Sequence, residues 1–95
     1  MKRQHRFETD REKALQEAIQ ITDLIVRLIL SVQIFDWDID AEEKRTSVCD
    51  RSDSAYPVLA RAWAIRRDNL KATITELQRR LEKLEAGATV QTETA

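Results

Sequence analysis

Glycine, proline and cysteine each occur only once in the 95 residues of this chain. A fold rich in β-strands needs many turns, and turns depend on glycine, proline and asparagine at defined positions. The scarcity of the first two therefore argues against a β-sheet protein and favours long helices with few interruptions. The single cysteine, Cys49, cannot form an intramolecular disulfide, which fits a reducing compartment.

A strong charge of one sign is also missing, because the formal net charge is −1. No overall basic field draws the chain to nucleic acid or to a membrane. The charge is nevertheless uneven along the chain. Residues 36–54 carry seven acids and three bases, net −4, and residues 55–86 carry seven bases and four acids, net +3. We therefore expect an acidic connection followed by a basic helix.

Long hydrophobic runs are absent as well. The most apolar stretch, residues 21–35, contains Asp23, Arg27 and Gln33, and on this reading it is too short to span a bilayer. No apolar run directly follows the basic N-terminus, so we expect no signal peptide. The sequence predicts a cytoplasmic protein with no membrane partner.

The few helix-breaking and capping signals divide the chain into three parts. Thr9 and Glu12 form a capping-box pattern, Pro57 suits a first helical turn, and Gly87 suits a left-handed C-terminal cap. These signals predict a basic N-terminal arm (1–9), a helical hairpin domain (10–86) and a disordered C-terminal tail (87–95). Within the domain, they predict a helix at 10–35, an acidic connection at 36–54 and a second helix at 55–86.

The apolar residues of both predicted helices follow helical periodicity. The second helix carries a heptad repeat, which is typical of a coiled-coil seam. The first helix carries two apolar stripes and therefore packs against more than one neighbour. A two-helix hairpin of this size buries too little surface alone, so we expect an all-α antiparallel hairpin that dimerises into a four-helix bundle or coiled coil. The positions of the heptad are Tyr56, Ala60, Trp63, Arg67, Leu70, Ile74, Leu77, Leu81 and Leu84.

The two seams each contain one charged residue of opposite sign. If Phe35 faces Ala55 across the hairpin, Asp23 lies opposite Arg67, and the sequence predicts that these two residues pair, directly or through Arg66 or Arg27. The alternative is a local pair between Asp23 and Arg27, which lie one helical turn apart.

The acidic segment FDWDIDAEE (35–43) raises the question of a calcium site. Asp36, Asp38 and Asp40 have the spacing that opens an EF-hand loop, but that loop also needs a glycine at position 6 and a glutamate at position 12. Ala41 and Ser47 occupy these two positions. We therefore interpret the segment as an acidic connection and expect no metal site. Three apolar residues are expected to anchor the segment to the bundle: Phe35, Trp37 and Ile39.

The segment RAWAIRRDNLK (61–71) is the main candidate for a binding surface. Arg66, Arg67 and Lys71 could grip a phosphate or a carboxylate, and Trp63 could supply a stacking face. The alternative is that Trp63 fills a seam position while the basic side chains are solvated. His5 and Cys49 offer too few ligands for a metal site or a nucleophile pair. No glycine-rich phosphate loop or catalytic triad spacing occurs, so no cofactor is expected.

Two arginine-containing segments are similar to motifs of the small all-helical chorismate mutases. Arg11 and Arg27 on the first helix, followed by DRSD at 50–53, resemble the arginines with which those dimeric enzymes hold a dicarboxylate. The lysine expected between these motifs has no clear counterpart, since Lys44 lies in the acidic segment. The resemblance implies an enzyme that binds an anionic substrate through arginines, but the motifs are not specific enough to assign the chain to that family.

Taken together, these patterns predict a non-enzymatic interaction protein. We expect a homodimer that presents a helical surface to a protein partner and acts as an adaptor, a regulator or a small chaperone. The alternative is a regulator that binds nucleic acid through the basic face of the second helix. The net charge disfavours this alternative, because nucleic-acid binding depends on basic residues that contact phosphates.

Overall fold

Two long helices and one short connection make up the described part of the chain. The structure is a computed structural model that describes the backbone of residues 2–93 and the side chains of residues 9–87. Helix α1 is Lys2–Thr46 and helix α2 is Val58–Glu93. No strand occurs among the described residues. The predicted all-α helical hairpin is therefore confirmed.

Helix α1 extends beyond both of its predicted ends. It passes through Thr9, so the capping-box pattern there does not start a helix, and the predicted N-terminal arm is helical from Lys2 onward. It also includes residues 36–46, so the acidic segment is helical and is not the connection. No glycine or proline interrupts this segment, and Asp40 and Lys44 form an ion pair of 2.8 Å one turn apart. Such pairs support a helix.

The left-handed cap lies at the end of α1 instead of at Gly87. Ser47 has a φ of 59°, whereas Gly87 does not have a positive φ. Helix α2 therefore continues through Gly87 into the segment that was predicted to be a disordered tail. At its other end, α2 begins at Val58 directly after Pro57, three residues later than the predicted start at residue 55, and the Pro57 carbonyl accepts a hydrogen bond of 3.1 Å from the Arg61 amide.

The chain divides into two units, one of residues 27–74 and the other of residues 1–26 with 75–95. In the unit of residues 27–74, the core is a small buried cluster against which Val48 and Trp63 pack. The cluster consists of Ile39, Tyr56, Ala60 and Ala64. Val32 is also buried in this unit. In the other unit, α1 contributes the buried side chains Ile21 and Ile25.

The register of the hairpin differs from the predicted one. In the unit of residues 27–74, Arg67 pairs with Asp36 and Tyr56 bonds to Glu43. The predicted pairing of Arg67 with Asp23 is therefore wrong. The reason is the length of α1, because a helix that continues to Thr46 moves the reversal of the chain toward the C-terminus.

The heptad predicted for the second helix forms its inner surface. All nine heptad positions, Tyr56 to Leu84, are buried or half-buried. Ala60 is the most enclosed of these residues, with no exposed surface. Within each unit this seam therefore packs against α1 of the same chain.

Candidate functional site

The four residues predicted to bind an anion have different environments. Trp63 packs against the buried cluster, which agrees with its seam position. Arg67 is half-buried, whereas Arg66 and Lys71 are exposed. Of the three basic side chains, Arg67 alone is therefore partly enclosed by the protein.

Arg67 is held by carboxylates of its own chain. Its guanidinium donates hydrogen bonds to Asp36 at 3.0 Å and to Asp68 at 3.2 Å, and only 13% of its side chain is exposed. Burial lowers the pKa of Arg67, but the hydrogen bonds to Asp36 and Asp68 outweigh it, so the pKa is raised above its usual value. Arg67 therefore ties α2 to α1, and its donors are engaged within the protein.

The acidic segment is a helix surface in the structure. Residues two apart on a helix point in nearly opposite directions, so Asp36, Asp38 and Asp40 do not converge on one point. Asp36 pairs with Arg67 and Asp40 with Lys44. The residues that the structure describes contain no group of three or more His, Cys, Asp or Glu that could hold a metal ion. The EF-hand spacing is thus a feature of sequence alone.

Tyr56 joins the end of the connection to α1. It is 3% exposed, and its hydroxyl donates a hydrogen bond of 2.8 Å to a carboxylate oxygen of Glu43. The Arg61 guanidinium lies 5.6 Å from the centre of the Tyr56 ring, within the range of a cation–π contact. Burial, and then the nearby Glu43 carboxylate, raise the pKa of Tyr56 above its usual value.

The DRSD segment forms a turn that its own side chains stabilise. Asp50 accepts hydrogen bonds from the Ser52 amide at 3.0 Å and from the Ser52 hydroxyl at 2.7 Å, and these bonds lower the pKa of Asp50. Of the arginines named in the enzyme alternative, Arg11 belongs to one unit and Arg27 to the other, and both are exposed. Cys49 is exposed in the connection, and the side chain of His5 lies outside the described residues.

The most conspicuous surface of the unit of residues 27–74 is apolar and lies on α1. Leu30 and Ile34 are each 53% exposed and Trp37 is 69% exposed. Their spacings of four and three residues are those of a coiled-coil seam. At 100° per residue, they lie on the side of α1 opposite the buried Val32 and Ile39. We call these three residues, Leu30, Ile34 and Trp37, the outer seam.

The outer seam corrects part of the prediction for the acidic segment. Ile39 is 4% exposed and anchors the segment as predicted, and Phe35 is half-buried. Trp37 is 69% exposed and does not pack against the hairpin of its own chain, so the single hairpin does not show the predicted anchoring. The reason is again the helix, because residues 37 and 39 of a helix point to different sides, whereas an extended connection could fold both inward.

The unit of residues 1–26 and 75–95 contains an apolar groove between its two helices. Its volume is about 440 Å³. Leu15 and Leu84 border this groove. Its space is left by small residues, which are Ala14 and Ala18 on α1 and Gly87 on α2. The same unit contains an ion pair between Glu17 and Arg80. Leu15 and Ile19 expose more than half of their surface here.

The length of α1 also bears on the predicted absence of a membrane span. The segment Thr9–Thr46 is long and apolar enough to cross a membrane by length and composition. Of its 18-residue apolar stretch, 17% is buried. The argument from shortness therefore fails, because the helix continues beyond Phe35. Core helices of soluble proteins and signal sequences meet the same criterion.

Comparisons with known proteins gave no relative from which a function could be transferred. No protein-family model matches the chain, and no curated protein or solved structure gives a significant match.

Proposed function

We propose that this chain is a non-enzymatic helical hairpin that acts in the cytoplasm by binding proteins through helical surfaces, and that it forms a homodimer. The observation that carries the proposal is the outer seam. Three large apolar side chains with coiled-coil spacing are more than half exposed on a helix whose opposite side is already packed. Contiguous exposed apolar surface of this kind marks interaction sites in soluble proteins.

The small core of the hairpin supports association. Seven hydrophobic residues are buried among the described residues, and no large side chain is fully buried. Fully burying a leucine, isoleucine or similar side chain stabilises a protein by roughly 1.5–3 kcal/mol. Since Leu30, Ile34 and Trp37 keep half or more of their surface exposed, a second molecule on this face adds apolar burial that the single hairpin lacks.

A second apolar surface on α2 supports the adaptor role. Val58 and Ile65 are 81% and 59% exposed in the unit of residues 27–74, and their spacing of seven residues places them on one side of α2. A dimer formed through α1 leaves these residues available to another protein. The nucleic-acid alternative has less support, because the guanidinium of Arg67 is engaged by Asp36 and Asp68.

Two charge-introducing variants test the proposal. Ile34→Glu places a carboxylate in the outer seam, and Ile65→Glu is a matched control at 59% exposure on α2. We expect the wild-type chain and Ile65→Glu to sediment as dimers and Ile34→Glu to sediment as a monomer, with the helical circular dichroism unchanged in all three. Equal sedimentation of the two variants would show that the outer seam does not mediate self-association.

A further inference from the structure

The distribution of charge along the outer seam indicates which molecule covers it and in which direction that molecule runs. We infer that α1 of a second copy of this chain packs on the outer seam in antiparallel orientation. The inference deepens the proposed function and rests on it. It concerns only residues of the unit 27–74, and it assigns to each seam position a partner in the other copy.

The spacing of the outer seam is self-complementary. Arg27 lies three residues before Leu30 on the same side of α1, so the seam reads Arg27, Leu30, Ile34, Trp37 at steps of three, four and three. In an antiparallel pair centred near residue 32, Leu30 meets the partner's Ile34, and Arg27 meets the partner's Trp37. The same four positions on each copy therefore form a closed two-fold interface.

The two ends of the outer seam differ in charge. Arg27 is cationic, whereas Trp37 lies within the acidic segment beside the exposed Asp38. A parallel pair would place Arg27 against the partner's Arg27 and Asp38 near the partner's Asp38, and like charges repel. The antiparallel pair brings the guanidinium to the indole face of the partner's Trp37 and toward the partner's acidic segment, and both interactions are attractive.

Charged side chains beside the outer seam distinguish a second copy from a lipid interior. A lipid interior would have to take up Arg27 and Asp38 together with the apolar side chains, which is costly for charged groups. A second copy supplies groups of opposite charge at the required positions. The charges thus favour a second copy over a lipid interior.

Site-specific cross-linking tests the orientation. Single cysteines are introduced at Gln33 or at Ala41 in a Cys49→Ala background and treated with a short bismaleimide, and the products are separated under denaturing conditions. Gln33 is exposed at the edge of the seam near its centre, and Ala41 is exposed one heptad after Ile34. In the antiparallel dimer the two copies of residue 33 lie side by side, whereas the two copies of residue 41 are separated by about 27 Å along the helix axis.

We expect Gln33→Cys to form a covalent dimer and Ala41→Cys to remain uncross-linked. Cross-linking at Ala41 would show a parallel pair, and a dimer that cross-links at neither position would show that the outer seam is not the interface. Either result overturns this inference and leaves self-association intact. A wild-type chain that is monomeric in solution would instead overturn the proposed dimer itself.

A charge reversal gives an independent readout of the same arrangement. Arg27→Glu removes the contact to the partner's Trp37, and we expect the dimer dissociation constant to rise roughly fivefold to tenfold. Arg66→Glu, an exposed arginine on α2, is the matched control and should leave the constant unchanged. Equal effects of the two reversals would contradict the predicted contact.

Discussion

Replacing Ile39 by alanine is the sharpest perturbation of the core described here. Ile39 is 4% exposed and packs with Tyr56, Ala60 and Ala64 in the one cluster of buried residues found in the unit 27–74. The substitution removes three carbon atoms, which corresponds to roughly 2.4 kcal/mol at about 0.8 kcal/mol per buried methylene group. A residual cavity adds to this cost, whereas relaxation of the half-buried Trp63 reduces it. We therefore expect a loss of about 2–3 kcal/mol.

Urea denaturation followed by circular dichroism measures this loss. A chain of this length has a free energy of unfolding of roughly 5–14 kcal/mol, so the variant should lose a large share of it. With a slope of about 1–2 kcal/mol per molar urea, the midpoint should fall by roughly 1–3 M at equal protein concentration. Ile65→Ala removes the same atoms from a side chain that is 59% exposed, and it should cost less than about 0.5 kcal/mol. Equal midpoints for the two variants would refute the assignment of Ile39 to the core.

Three further measurements test individual features of the hairpin. Gly87→Ala should raise the free energy of unfolding by about 0.5–1 kcal/mol, because Gly87 is helical and nothing lies within 4 Å of an added Cβ. Ser47→Gly should raise it by a similar amount, because Ser47 has a left-handed φ. A loss of stability in Gly87→Ala would indicate a left-handed cap at that residue. The pKa of Tyr56 is raised in the folded chain. The buried, neutral Tyr56 should therefore contribute its full stability below the ordinary tyrosine pKa of about 10, and this stability should be lost as the pH rises through the pKa of Tyr56 in the folded chain. The absorbance of the single tyrosine reports this titration, and a phenolate that forms at the ordinary pKa would contradict its burial. A double-mutant cycle on Asp36 and Arg67 should give a coupling of roughly 0.5–1 kcal/mol, because Asp36 is 47% exposed; no coupling would show that the pair does not tie the helices together.

The inner surface of α2 could be predicted from the sequence because its pattern has one solution. Aliphatic residues recur at steps of three and four from Leu70 to Leu84, and no second stripe competes with them. Pro57 marks the start of the helix for an equally local reason, since proline lacks the amide hydrogen that only a first turn can do without. The scarcity of glycine and proline indicated the fold class, because a chain with few turn-forming residues favours long helices.

The end of α1 could not be predicted, because the local signals there point in a different direction from the helix that forms. Alternating aspartates suggested a loop, and Ser47 carries no sequence signal for a left-handed conformation, which glycine or asparagine usually supplies. Gly87, the residue with that signal, lies inside α2. Once α1 is known to reach Thr46, the partner of Arg67 changes from Asp23 to Asp36.

The outer seam was missed because periodicity identifies stripes without saying which of them faces inward. Helix α1 is apolar around more than half of its circumference between Ile21 and Phe35, so several choices of inner face fit the pattern equally well. Trp37 was assigned to the bundle because it alternates with the aspartates, as Ile39 does, and this alternation places both side chains on one side of an extended segment but not of a helix. The signal that could have identified the seam is the spacing of Leu30, Ile34 and Trp37, which continues the coiled-coil steps past the predicted end of the helix.

The molecular mass of the unmodified chain in solution tests the central claim most directly. Light scattering on a dilution series should give twice the chain mass of 11.1 kDa at high concentration and a reversible decrease toward that mass on dilution. A mass of one chain at every concentration would contradict the claim that the outer seam of α1 is covered by a second copy.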